Sequence, residues 1–176
     1  MKQSTKILAL GSFLLAIFCV SSFFIYKWMQ KPQPLILTSR VIDQPLPKVR
    51  LVNSSGQQLG DDKLRRGKVV LLFTMTDCGY CDEEDNFLRT VASLRKDVSY
   101  YYVIPFGAKD VGLQAAQRKY AFETFYDEGS TVARSLGLLQ VPIQVYLEDG
   151  VIKKTWVDAT VHNHREDEYR RWLSSI

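Results

Sequence analysis

Hydrophobic and polar positions along this chain fall into three patterns, and each predicts a different kind of element. The first is a single long run: from Ile7 to Tyr26, ILALGSFLLAIFCVSSFFIY carries no charge and is bracketed by Lys2, Lys6 and Lys27. At about 1.5 Å per residue such a helix spans roughly the 30 Å hydrocarbon core of a bilayer. The expectation is an uncleaved transmembrane signal anchor over 1–27, then a juxtamembrane linker over 28–45. Trp28 and Tyr26 suit the membrane interface, and the extended KPQP run from Lys31 to Pro34 stops the helix. A cleaved secretory signal is the competing reading, with Val20 and Ser22 as its small-residue site. The apolar run, however, continues through Phe23, Phe24 and Ile25, beyond the ~7–15 residues of a signal core. Cys19 follows the bulky Phe18, which disfavours lipid attachment and leaves it as an apolar membrane residue.

The second pattern is the short β-rich run. Lys48–Val52 reads as a strand, 53–56 as a turn and Gln57–Leu59 as the return, predicting an opening β-hairpin. VVLLFTM, Val69 to Met75, is apolar on both alternating faces, as a central strand covered on two sides must be. Further strands are predicted over Ser99–Pro105, Glu123–Tyr126, Ile143–Leu147 and Val151–Val157, the last two joined by the Asp149-Gly150 hairpin signal. The third pattern has helical spacing. Phe87, Leu88, Val91 and Leu94 share one face of a helix over Asp82–Leu94 whose first turn is crowded with acids. Helices are also expected over Val111–Tyr120 with Asp110 as cap, over Thr131–Leu136 ended by Gly137, and over Arg165–Leu173. The order predicts an α/β class domain over 46–176, with a mixed sheet whose first half is parallel and whose end is a hairpin.

Composition narrows the functional classes. The 176 residues are 46% hydrophobic and 24% charged, which describes one folded domain plus termini. The formal charge is +4, but Lys2, Lys6, Lys27 and Lys31 account for all of it, so the domain itself is neutral. A neutral surface offers no footprint for a phosphate backbone, and nucleic-acid binding is not expected.

The candidate chemistry lies at Cys78-Gly79-Tyr80-Cys81, where the apolar strand ends and a helix begins. Two thiols separated by two residues can close a disulfide ring, and unpaired N–H groups at a helix N-terminus favour thiolate at the first. The second, one turn into the helix, can attack a mixed disulfide formed by the first. Two alternatives stay open on the residues alone. A zinc half-site could recruit His162 and His164, although H-x-H lacks the usual ~3–5 residue separation. The cysteines could also be buried and structural. The acids Asp77, Asp82, Glu83, Glu84 and Asp85 oppose a thiolate, each by roughly one kcal/mol in exposed surroundings. The expectation is therefore a modestly depressed Cys78 pKa and a reducing couple, with the acid run otherwise a solvated first helical turn.

With these pieces the sequence resembles the thioredoxin-like superfamily, and within it the membrane-anchored TlpA, ResA and CcmG group. The resemblance rests on the opening hairpin, Leu64-x-x-Gly67-Lys68-Val69-Val70, the C-x-x-C with Glu84 three residues on, and Val141-Pro142 before the final hairpin. It implies a thioredoxin-like fold and a cis Pro142 facing the dithiol, with Val141, Pro142, Gly79 and Tyr80 contacting the substrate. Cys78 and Cys81 are the implied catalytic pair, and no cofactor or metal is implied beyond that redox-active disulfide. The implied partners are cysteine-containing client proteins and a membrane electron donor of the CcdA or DsbD type. Cytochrome c biogenesis is one client pathway. The implied location is the extracytoplasmic (periplasmic or outer) face of the cell membrane, held by a single-pass anchor.

The chain also departs from the family. Leu72 stands where thioredoxins bury an aspartate, Asp77 where a Trp commonly precedes the first cysteine, and Ala108 after Gly107 where ResA-like proteins carry a glutamate. The usual acid–base helpers are thus expected to be missing. The Gly-Tyr dipeptide is similar to that of the disulfide isomerase DsbC, so an oxidase or isomerase is the nearest alternative to a reductase. A non-catalytic adaptor or chaperone is the alternative of another class. A peroxidase is disfavoured because Leu71 and Met75 occupy the Pro and Thr positions of P-x-x-x-T-x-x-C.

Overall fold

The computed structural model describes Ser21, 41–106 and 109–176. The chain divides into two units, Met1–Ile36 and Leu37–Ile176, and the fold described is that of the second. The expected anchor and most of the linker lie outside the described residues, as do Gly107 and Ala108. Among the described residues no helix is long and apolar enough to cross a membrane.

Six strands form one mixed sheet: β1 Leu51–Val52, β2 Lys68–Phe73, β3 Val98–Ile104, β4 Thr124–Asp127, β5 Ile143–Glu148 and β6 Val151–Val157. Their spatial order is β1-β4-β3-β2-β5-β6. β2, β3 and β4 run parallel, while β1, β5 and β6 pair antiparallel to their neighbours. β2 is central, as its uninterrupted apolar sequence requires. Val69, Leu71 and Phe73 enter one core, and Val70 and Leu72 the other, because successive side chains leave a strand on opposite faces.

Helices cover both faces: α1 Asp61–Arg65, α2 Gly79–Ala92, α3 Lys109–Lys119, α4 Thr131–Ser135 and α5 Glu166–Ser175. The first core packs Leu64 of α1 and Val132 and Ala133 of α4. The second packs Phe87, Leu88 and Val91 of α2, Ala116 of α3, and Tyr169 and Leu173 of α5. Fully burying one such aliphatic or aromatic side chain contributes roughly 1.5–3 kcal/mol. The hairpin between β5 and β6 turns through Asp149 and Gly150, with φ of 50° and 78°. Gly150 has a second constraint, because a Cβ there would lie 3.1 Å from the Cα of Arg65.

Two details depart from expectation. The opening hairpin is present but shorter than expected, a Val52–Gln58 bridge flanked by backbone hydrogen bonds from Asn53 N–H to Gln57 O (2.9 Å) and Leu59 N–H to Leu51 O (2.8 Å), and β1 pairs with β4 on its other edge. The side-chain oxygen of Asn53 accepts the backbone N–H groups of Ser55 (3.1 Å) and Gln57 (2.9 Å), which holds the turn between the two arms. The five-residue α1 was not expected, because its one core residue, Leu64, is too little to display a helical period.

Candidate active site

The site is built where β2 runs out. Thr74 still donates its backbone N–H to Val103 O at 2.9 Å, after which 75–77 lead to Cys78, the N-cap of α2. Cys78 keeps extended backbone angles (φ −125°, ψ 104°), and the backbone N–H of Cys81 donates to its Sγ at 3.2 Å. The sulfur thus takes the place a serine or aspartate oxygen holds at other helix starts, and the same donor favours a thiolate there. Cys78 and Cys81 are joined as a disulfide with Cα atoms 5.2 Å apart. Cys78 is half-buried, Cys81 fully buried, and Gly79 and Tyr80 are exposed between them.

The Val141–Pro142 bond is cis. Antiparallel pairing of Phe73 with Ile143 brings Pro142 alongside the start of the segment that leads to Cys78. Val141 is half-buried, and Leu139 just before it is 81% exposed.

The acids after Cys81 do not form a solvated helical turn. Asp82 pairs with Lys119 Nζ at 2.6 Å. Asp85 is buried; it accepts the hydroxyl of Tyr102 and the Nε of Arg89 at 2.8 Å. Burial pushes the Tyr102 hydroxyl up, and the adjoining Asp85 carboxylate pushes it further. Glu84 is only 1% exposed, and its Oε2 accepts the backbone N–H groups of Thr160 at 2.7 Å and Val161 at 3.4 Å. Its Oε1 accepts from Gln144 Nε2, and Gln144 Oε1 in turn accepts the Tyr169 hydroxyl at 2.7 Å. Burial pushes the Glu84 carboxyl above its ordinary value, while the Thr160, Val161 and Gln144 hydrogen bonds pull it back. Leu72 fills the thioredoxin aspartate position with a buried apolar side chain, and Glu84, one turn beyond Cys81, is a buried carboxyl engaged by Thr160, Val161 and Gln144.

By holding Thr160 and Val161, Glu84 fixes the loop after β6, and that loop lays the His162 ring on Tyr80 with centroids 4.2 Å apart. His164 stays at the surface. Among the described residues no three His, Cys, Asp or Glu side chains gather as metal ligands. An open groove of about 690 Å³ runs between α2 and α5, past Glu83, Asn86, Thr90, His164 and Arg170. Neither cysteine nor Pro142 lines it, so it stands apart from the disulfide chemistry. Spacing alone could not reveal Gln144, Thr160, Tyr169 or Lys119, since their partners lie far away in sequence. The signal for Glu84 was its position three and four residues before Phe87 and Leu88, on the core stripe.

A family model described as Redoxin matches residues 42–170. The chain belongs to the Redoxin family. No curated protein sequence matches it. Solved structures similar to this Redoxin-family chain include MTB DsbF in mixed oxidised and reduced forms, at 18% identity and TM-score 0.60, covering 77% of this chain and 98% of that one. Another is a secreted disulfide oxidoreductase of Mycobacterium tuberculosis homologous to E. coli DsbE, at 18% identity and TM-score 0.57, covering 72% and 95%. A third is the thioredoxin domain of a thiol-disulfide oxidoreductase from Bacteroides vulgatus, at 13% identity and TM-score 0.61, covering 75% and 97%. At these identities the likeness is one of fold, and that fold is thioredoxin-like. Family membership together with a C-x-x-C disulfide at the strand-to-helix turn makes this Redoxin-family chain a thiol–disulfide oxidoreductase.

Proposed function

We propose that the chain works outside the cytoplasm as a membrane-anchored reductase of protein disulfides. One observation carries the exchange chemistry: a half-buried Cys78 at a helix N-cap, receiving a backbone N–H, bonded to a fully buried Cys81. In the reduced protein the Cys78 thiolate attacks one sulfur of a client disulfide, and the client's other sulfur leaves as a thiolate. Cys81, deprotonated, then attacks Cys78 of the mixed disulfide and expels the second client sulfur. Two electrons pass to the client, and the Cys78–Cys81 disulfide re-forms. The pair itself carries the electrons, so the reaction needs no further cofactor. In this reading the client docks on Gly79, Tyr80 and the backbone of Val141, with the buried cis Pro142 holding Val141 in place.

Renewed reduction requires a donor, for which a membrane dithiol carrier of the CcdA or DsbD type fits a tethered domain. Cytochrome c maturation is a client pathway in keeping with that arrangement. The uncharged run from Ile7 to Tyr26 supports the anchor and an extracytoplasmic location. A second reading, an oxidase or isomerase, is favoured by the Lys119–Asp82 pair, which cancels one of the charges expected to make the couple reducing. Cys81→Ser tests the exchange chemistry: it should accumulate a mixed disulfide through Cys78 whose mass identifies the client. No trapped species, with Cys78 still alkylatable, would defeat the proposal. Equilibration of the full chain with glutathione, and its activity on reduced against scrambled proteins, separate reductase from oxidase and isomerase.

A further inference from the structure

The end of α3 grips the segment that carries the disulfide at four points. Tyr120, just past the helix, donates its hydroxyl to Met75 O at 2.8 Å and accepts the hydroxyl of Thr74 at 3.2 Å. Lys119 Nζ donates to Thr76 O at 2.7 Å and pairs with Asp82 at 2.6 Å. Thr76 lies two residues before Cys78, and Asp82 directly follows Cys81. The ammonium therefore bridges the two flanks of the C-x-x-C turn. Its own placement is fixed from behind, because Arg89 Nη2 of α2 donates to Lys119 O at 2.9 Å while Arg89 also holds Asp85. The titratable groups around this ammonium are Asp82, which it touches, the adjoining Tyr120, and Asp77, whose field it feels; all three hold its proton more firmly, and partial burial works against them.

A cation fixed beside a dithiol favours the thiolate, and a carboxylate there opposes it. We infer that Lys119 is a positioning residue of the disulfide-exchange site, one whose charge lowers the Cys78 pKa and makes the Cys78–Cys81 couple easier to reduce than the acid-rich turn alone would allow. The inference rests on the exchange chemistry proposed for the pair. It assigns Asp82 the opposite sign, although the two residues share one ion pair.

That opposition is the test. Lys119→Gln and Asp82→Asn both break the 2.6 Å pair, so a merely structural role moves them in the same direction. On the full chain, thiolate absorbance during pH titration gives the Cys78 midpoint, and equilibration with glutathione gives the reduction equilibrium. Lys119→Gln should raise the midpoint by about half a unit and lower the equilibrium constant for reduction about threefold, some 15 mV at 29.6 mV per tenfold. Asp82→Asn should shift both the other way by a similar factor, and Lys119→Arg should behave as the unaltered chain. Shifts of one sign in both neutral variants, or no shift in either, would overturn the inference. Failure of the unaltered chain to exchange with glutathione would instead sink the functional reading; the absorbance midpoints judge Lys119 even then.

Discussion

The two faces of the sheet are filled in different ways. On the face covered by α1 and α4 the core is built almost wholly of Leu, Val, Ile, Ala and Phe, and the buried carboxylate there, Asp127, caps the start of α4 through the N–H groups of Val132 and Ala133. On the face covered by α2, α3 and α5 the core is rich in aromatics, with Tyr100, Tyr102, Tyr120, Tyr146, Trp156 and Tyr169, and it also encloses Glu84, Asp85, Gln144 and Thr160. The first face closes a core. The second also ties the disulfide-bearing helix to β3, β5 and the loop after β6 through Asp85, Glu84 and Gln144, each hydrogen-bonded, whereas the Tyr100 and Tyr146 hydroxyls and Trp156 Nε1 are buried there without a partner among the described residues.

The contrast can be broken at three strengths. Leu71→Ala, on the aliphatic face, should cost the most: about 2–5 kcal/mol in denaturant unfolding, with the glutathione equilibrium of the surviving folded protein unchanged. A changed equilibrium would show that this face also tunes the dithiol. Glu84→Gln should cost about 1 kcal/mol at acid pH, where the carboxyl is protonated. Its pH dependence carries a sign. The folded carboxyl titrates above its ordinary value of 4.5, so its stabilisation is fully present below 4.5 and is lost as pH rises through the higher folded value. Unfolding measured across that window should show the wild-type advantage shrinking with pH; an advantage that grows would overturn the assignment of burial as the dominant influence. The smallest effect belongs to His162→Ala, at the exposed tip of the loop that Glu84 holds. Melting should move by less than about 0.5 kcal/mol, and a larger loss would place the Tyr80–His162 contact in the core rather than on its rim.

Much of the architecture was legible because strands and helices advertise themselves through repeating apolar positions. The central strand, the Asp149-Gly150 hairpin and the helix of Phe87, Leu88 and Val91 all follow from period and turn chemistry. The strand-to-helix placement of the two cysteines follows from the same reading. Glu84 and Asp85 were misjudged because charge argues for solvent, whereas their helical phase argued for the core, and here phase won since each found donors. The positions of Lys119 against Thr76 and Asp82 and of His162 against Tyr80 were out of reach of any local pattern, since they depend on where α3 ends and how the loop after β6 folds back.

One sulfur at the surface with its partner sealed beneath gives the molecule a single port. In the exchange proposed for this pair, whatever delivers electrons and whatever withdraws them would bond to the same atom, so donor and client would take turns and never meet on the enzyme. Turnover is then an alternation of two half-reactions, whose pace is set by the slower visitor.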